Sequence, residues 1–477
     1  MNESTNQPPT NGAGLRLADP LPPATPTGTS AVDGLSFRGG QPADLLIRGA
    51  HVLDPRTSID AVLDVLVRRG EIAEIGESLS APEGTELIEA AGKHLFPGFV
   101  DPHVHLRTPG FEYKEDIESG TRSAAAGGFC LILAMANTSP PVDSAGALQS
   151  LRMRAASEAH IPTGFSATVT KAMAGEELTE MADLAHAGAS CFTDDGLPVA
   201  DAGLMRQALQ YQKIADRVIA LHQEDPALSR GGVMHEGRTS AALGLAGIPP
   251  VSESSMIARD ALLAQYEDGR IHVQHLSSIQ SVEVVAAAKQ RGVRISTEAT
   301  PHHLTLTDQA VGDGTDSNFK MNPPLRTESD RLALIEGLRD GTIDCIATDH
   351  APHAAHEKEV PFEQASMGVT GLETSFPVIY TQLVKPGVLP LDLVIDRMTA
   401  GAALFDLPTP TIALGAPANL ALVDLEETWR VGEHGYESRS ANSCFVGNSV
   451  NGRIVATIAA GVVAFRARAF AIQEVSA

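Results

Sequence analysis

Residues 96–109 read FPGFVDPHVHLRTP, and this stretch decides how the rest of the chain is read. Its apolar start, Leu95 to Val100, has the character of a buried strand, and His103 and His105 stand one residue apart just beyond it. Side chains two apart on a strand point to the same face. Two imidazoles leaving a strand end together can reach one cation, and imidazole suits zinc and its neighbours. Arg107 follows two positions on, a fork-shaped cation able to hold a carboxylate. Taken alone, the pair reads equally well as ordinary histidines beside a turn. Partners elsewhere in the chain decide between the two.

Seven further strand-like runs follow: FCLILAMANT (129–138), IPTGFSATVT (161–170), GASCFTDD (188–195), RVIALHQED (217–225), RIHVQHLSS (270–278), VRISTEATPHHL (293–304) and DCIATDHAPH (344–353). Helical patterns lie between them, among them YKEDIESGTRSAAAGG, GLMRQALQYQKIAD, SSMIARDALLAQYEDG, QSVEVVAAAKQRG and ESDRLALIEGLRDG. Alternation on this scale predicts an α/β chain with a (β/α)8 TIM barrel over 96–410. An open doubly wound sheet is the alternative, but no glycine-rich phosphate fingerprint follows the first strand. Short β-type runs with Gly and Asp turns fill 43–95 and 411–477. Each group is too small to bury a face alone, so one small β-sandwich domain built from both chain ends is expected. Residues 1–42, rich in Pro, Gly, Thr, Ser and Asn, read as a disordered tail.

The 477 residues carry 35 basic and 59 acidic side chains, a net charge of −24. That argues against nucleic-acid or acidic-membrane partners. No apolar run reaches the ~18 residues of a spanning helix, and no signal-peptide core is present. Cys130, Cys191, Cys345 and Cys444 are far apart with no Cys-x-x-Cys, and read as buried thiols of a reducing compartment. A cytoplasmic protein is expected.

Active residues of such barrels come from the C-terminal strand ends. Those ends hold His103 and His105, Asn137, the pair Asp194-Asp195, His222 with Glu224 and Asp225, His275, and Asp349 with His353 beyond. Four histidines and two aspartates exceed what one tetrahedral zinc needs. They suit a pair of cations, or one cation plus a base. This is machinery for hydrolysing an amide or ester with activated water, and Asp349 stands ready to carry the proton. Alternation does not choose between Asp194 and Asp195. His272 falls on the face opposite His275 and reads as a packing or surface residue. His302 and His303 read as outside the metal shell. His51, His94, His160, His186, His235 and His434 scatter and are assigned to surfaces and turns. The stretch 353–368, with Glu357, Lys358 and Glu359, reads as a solvated charged loop, with closure over a substrate as the alternative.

In this order, DPHVHLRTPG, FTDDG, HQED, VQHLS, TPHHL, NPPLR and ATDHAPH resemble the dihydroorotases of the longer bacterial type, in the amidohydrolase superfamily. The resemblance runs from Asp44 to Val463. It implies one or two zinc ions, with His103 and His105 on one, His222 and His275 on the second, Asp195 bridging, and Asp349 as ligand and general acid/base. It implies a substrate carboxylate held by Arg107, Asn137 and His353, with Asn322, Met367 and Gly368 lining the ring. The implied reaction interconverts dihydroorotate and N-carbamoyl-L-aspartate. A homodimer and a complex with aspartate carbamoyltransferase are implied as partners. Many superfamily members carry a carboxylated lysine on strand four. This chain has only aspartates there, which counts against the alternative of a hydantoinase-like or allantoinase-like cyclic amidase. A catalytically silent scaffold for the transferase is the other alternative, and the complete ligand set counts against it. The family's usual Met-Pro-Asn-Thr is Met135-Ala136-Asn137-Thr138 here.

Overall fold

The computed structural model describes residues 34–467, with the backbone of Leu15–Arg16 and Gln473–Glu474 besides. Phe99–Val104, Phe129–Ala134 and Thr163–Phe165 pair in parallel in that order. Ala167 bridges to Phe192, and Phe192 to Ile219. Ile219–Leu221, Arg270–Val273, Arg294–Ala299 and Cys345–Ile346 continue the parallel series. A parallel bridge from His350 to Val104 closes the ring, giving the expected barrel. Helices Ile117–Ala126, Ala202–Ala215, Val251–Glu267, Ile279–Gln290 and Glu328–Asp340 fall where the periodicity predicts them. Local chemistry sets their ends. Asp116 accepts the Ser119 N–H at 2.8 Å, and the Asp116 N–H donates back to Ser119 Oγ at 3.2 Å, a reciprocal cap that satisfies two otherwise orphan donors.

The fourth run, GASCFTDD, pairs on both sides over residues 190–193: the Ser190 and Thr193 N–H groups donate to the Phe165 and Ala167 carbonyls at 2.9 and 2.8 Å, and the Phe192 and Ala220 N–H groups to the Val218 and Phe192 carbonyls at 3.0 and 2.8 Å. Just beyond Phe192, the Asp194 carboxylate accepts the N–H groups of Val169 and Thr170 at 2.8 and 3.1 Å. Side-chain bonding of this kind competes with ladder pairing. The first run needs correction, because it is two strands. His94–Pro97 belongs to another sheet, pairing parallel to Leu45–Asp54 and antiparallel to Leu420–Arg430. After Gly98 the chain enters the barrel as Phe99–Val104.

That other sheet gathers strands from both chain ends, from Glu71–Gly76 through His94–Pro97 to Val462–Arg466. It is one continuous hydrogen-bonded sheet, and its two arms share one apolar cluster that includes Ile47, Val65, Leu95, Leu420 and Ile458. Alternation along His94–Pro97 couples the two bodies, with Leu95 in the sheet's cluster and Phe96 in the barrel's. Phe376 packs on both Phe96 and Phe99, at ring-centroid distances of 5.8 and 5.4 Å. Of the expected tail, residues 1–33 lie outside the described residues except for the backbone of Leu15–Arg16. Residues 35–37 are held on the barrel: Ser36 exchanges backbone hydrogen bonds with Thr163 at 2.9 and 3.0 Å, and Leu35 and Phe37 pack on its core. All four cysteines are buried and unpaired. Among the described residues no helix is long and apolar enough to cross a membrane.

Gly98 is needed where the chain passes from sheet to barrel, because a Cβ there would stand 2.7 Å from Cys130 Cβ and 2.8 Å from its Sγ. Gly98→Ala is expected to destabilise the fold by about 1–3 kcal/mol through overpacking. Chemical denaturation of the variant beside the parent checks this, and an unchanged midpoint refutes it.

Candidate active site

The strand ends bring His103, His105, Asp195, His222, His275 and Asp349 together, all buried. Asp349 Oδ1 lies 3.0 Å from His105 Nε2 and 3.4 Å from His103 Nε2. Asp195 Oδ1 lies 3.4 Å from His103 Nε2, and 3.8 Å from both His222 Nδ1 and His275 Nε2. Asp195 Oδ2 is 3.3 Å from His105 Nε2. The choice between the two aspartates is therefore made by geometry. Asp194 turns to the backbone of residues 169–170 and the Thr170 hydroxyl, while Asp195 faces the imidazoles.

Three of the imidazoles use their outward nitrogen as a donor. His103 Nδ1–H donates to Glu298 Oε1 at 2.6 Å, His105 Nδ1–H to Asn137 Oδ1 at 2.9 Å, and His222 Nε2–H to Glu224 Oε2 at 3.2 Å. Each bond leaves a lone pair on the inward nitrogen, the tautomer a metal ligand requires. Burial alone would lower His103, but the carboxylates of Asp195, Glu298 and Asp349 outweigh it and raise it well above its ordinary value. In turn, burial raises Asp195 and Asp349, yet the surrounding imidazoles hold both below the usual carboxylate range. Arg107, His275 and Asp349 have φ of +57°, +32° and +48°. Non-glycine residues adopt this region at a cost, and such residues cluster at sites whose geometry the fold over-determines.

The residues present fit a divalent cation. His103 Nε2 is fully buried and has no hydrogen-bond partner among the described residues. Ligands about 2.0–2.1 Å from one tetrahedral ion stand roughly 3.3 Å apart, close to the carboxylate separations given above. Two sets of donors converge, His103 with Asp195 and His275, and His103 with His105 and Asp349, each set within 4.8 Å.

Glu298 was not anticipated as a site residue, and Glu224, noted beside His222 at a strand end, was given no role. Glu298 also accepts from His272 Nε2 at 3.1 Å and from the His275 N–H at 3.2 Å, so one carboxylate ties strands one, six and seven. A lone acid in a strand read as buried was the available signal, because such a group needs partners. His272 is accordingly interior, with its ring on Phe405. Glu224 also accepts from Asn322 Nδ2 at 2.5 Å. His302 and His303 are buried beside the centre, with His303 occupied by Thr300 Oγ1 and the Pro323 carbonyl. Among the scattered histidines His235 departs from expectation: it is buried, with Arg326 Nη1 3.3 Å from its Nδ1.

On the rim, Arg107 Nε donates to the Pro352 carbonyl at 3.1 Å, and its Nη2 lies 3.5 Å from His353 Nε2. Asn137 Nδ2 donates to the Asp195 carbonyl at 3.1 Å. His353 Nε2–H donates to the Met367 carbonyl at 2.9 Å, and Gly368 follows with φ +135°. In the stretch 353–368 Glu359 is exposed as expected, but Glu357 and Lys358 are not solvated. Lys358 is buried, and Glu357 pairs with Lys114 at 2.7 Å. Enough carbonyls and one cation surround the two charges to hold them in place.

Two family models match the chain, one described as Dihydro-orotase-like over residues 92–281 and one as Amidohydrolase family over 251–464. L-hydantoinase (dihydropyrimidinase) from Arthrobacter aurescens has the same fold, with TM-score 0.78 and 26% identity over 88% of this chain and 96% of that one. D-hydantoinase (dihydropyrimidinase) from a Thermus species gives 0.77 and 27% over 90% and 97%. Barrel and site together define a metal-dependent amidohydrolase. Dihydroorotase from Geobacter sp. strain M21 is 45% identical over 425 residues, 89% of this chain and 100% of that protein. The dihydroorotases of Acetivibrio thermocellus and Pelobacter propionicus are 44% and 46% identical, over 88% and 89% of this chain. The chain belongs to the dihydroorotase family.

Glu298→Gln keeps the shape but loses the charge that orients His103. It is expected to weaken metal binding by about 10–100-fold, read by chelator competition and elemental analysis; retention of parental affinity would count against this role. Glu357 offers a pH test. Burial raises its carboxyl, but the Lys114 ammonium and the Ala354 N–H outweigh burial and hold it at about 2. A depressed carboxylate contributes stability above its unfolded value, and that contribution is lost as pH falls through the folded one. The unfolding free-energy difference between the parent and Glu357→Gln is expected to be about 1 kcal/mol at pH 7 and to shrink between pH 4.5 and 2. A difference independent of pH would refute the pairing.

Proposed function

We propose that this chain interconverts (S)-dihydroorotate and N-carbamoyl-L-aspartate, the ring-closing step of pyrimidine synthesis. The observation that carries this reading is the convergence of four imidazoles with Asp195 and Asp349 beside the Arg107–His353 pair. An amide-hydrolysing centre thus adjoins an anion site. The full-length identity to dihydroorotases supports the same reading.

In this reading His103 and His105 would hold one cation and His222 and His275 a second, with Asp195 between them and Asp349 completing the set. Zinc, as one or two ions, supplies Lewis acidity toward the amide carbonyl and brings the ionisation of water into the neutral range. Asp349 takes the proton of the attacking water at its carboxylate and delivers it to the ring nitrogen as the amide bond breaks. Arg107, Asn137 and His353 hold the substrate carboxylate, and Asn322, Met367 and Gly368 line the ring. A ring amide without a carboxylate leaves the Arg107 guanidinium unpaired, which disfavours it. The same reading gives a cytoplasmic homodimer able to join aspartate carbamoyltransferase. It also divides the chain into a barrel and a β-domain built from both chain ends, with the first passage between them at Gly98 in place of residue 96.

Purified zinc-loaded protein is expected to turn over in both directions, near pH 6 toward the ring and near pH 8 away from it, and to stop with chelator. Turnover of hydantoin or allantoin in place of dihydroorotate would refute the substrate. Asp349→Ala is expected to lower kcat about a thousandfold. Arg107→Ala is expected to raise KM roughly 10–100-fold with metal retained; loss of metal in that variant would overturn the role given to Arg107.

A further inference from the structure

Behind the substrate-facing backbone lie two lysines buried without an ion-pair partner among the described residues. Lys358 is 6% exposed and Lys320 3%. Lys358 Nζ donates to the carbonyls of Lys320, Ser366 and Gly368 at 3.2, 2.9 and 3.0 Å. Lys320 Nζ donates to the carbonyls of Phe362 and Glu363 at 2.7 and 3.0 Å. The Gly368 N–H returns to the Lys320 carbonyl at 3.0 Å. Burying an ammonium is costly even when it is fully hydrogen-bonded, and an apolar side chain of similar length fills the space without that cost. What an apolar residue cannot do is hold three carbonyls with one atom, here two from residues 366–368 and one from Lys320.

Those carbonyls belong to the frame of the substrate site. Gly368 has no room for a side chain, since a Cβ would meet Ala351 Cβ at 2.7 Å and His353 Nε2 at 3.1 Å. Its carbonyl also accepts from Asn442 Nδ2 at 3.1 Å, and Asn442 Oδ1 accepts the His353 N–H at 3.0 Å. His353 closes the circuit through the Met367 carbonyl. Moving Ser366 or Gly368 therefore moves Met367 and His353 with them.

We propose that Lys358 is a positioning residue for the anionic ring substrate, pinning the Ser366–Gly368 backbone and so fixing where Met367, Gly368 and His353 meet it. This rests on the substrate reading given above. Burial, then the neighbouring Lys320, brings Lys358 down to about 8, which leaves it mostly charged at neutral pH.

The test compares zinc-loaded parent, Lys358→Met and Lys358→Gln, the last keeping an amide donor. Expected for Lys358→Met is a KM for dihydroorotate raised at least tenfold, with kcat within threefold and bound zinc unchanged, and for Lys358→Gln an intermediate KM. Parental KM, or a fall in kcat and zinc together, overturns the proposal. Hydrogen exchange without substrate gives an independent reading. Faster exchange confined to residues 353–369 in Lys358→Met is expected, and unchanged exchange there overturns the proposal even if the parent proves inactive on dihydroorotate. A parent that turns over no dihydroorotate refutes the substrate reading, and with it the substrate named here. Failure of both variants to fold makes Lys358 a structural residue only and overturns the proposal.

Discussion

Strand one and strand eight meet along a single seam, and the site exists because they do. Val104 bridges to His350, and the His105 N–H donates to the His350 carbonyl at 2.9 Å. Beneath that seam, buried Asp101 accepts the Thr348 N–H at 3.2 Å and its hydroxyl at 2.5 Å. Asp349 follows Thr348 directly, and His103 and His105 follow Asp101 at the strand-side spacing. Closing the barrel therefore sets the imidazoles against the carboxylate across 244 positions of sequence. A parallel ring buries every strand on both faces, so these polar groups have no water to fall back on and must satisfy one another.

The way they do so is layered. Innermost lie lone pairs and carboxylate oxygens facing one another. Outside them, Glu298, Asn137 and Glu224 accept the imidazole N–H groups. Further out, Lys358 and Asn442 hold the Gly368 carbonyl on the rim. Each layer fixes the freedom left by the one inside it. Positive φ at Arg107, His275 and Asp349 fits such a frame, because strain of this kind persists only where the surroundings over-determine it.

Solved hydantoinases share this fold at 26–27% identity. A shared barrel leaves open which ring is bound, because function lives in side chains grafted onto the scaffold. In this chain strand four places Asp195 in the centre and carries no lysine, and on the rim Arg107 and His353 adjoin.

Much of this was legible in the sequence. Alternating apolar runs and helical periods indicate a parallel barrel, since burial on both faces demands continuous apolar strands. Histidines and aspartates at corresponding strand ends mark the site for the same reason: barrel strands all deliver their C-terminal residues to one mouth. Three things needed the folded chain. Asp194 and Asp195 are adjacent and chemically alike, and only the backbone of residues 169–170, which captures Asp194, separates their roles. Glu298 looks like a stray charge until strands one and six close around it. Lys358 looks solvated by composition, and is buried because the Lys320 carbonyl, 38 positions away, converges on it together with those of Ser366 and Gly368. Sequence pattern reports which face a residue occupies, through the local period of strand or helix; which partner fills that face is a matter of long-range packing, and only the tertiary structure decides it.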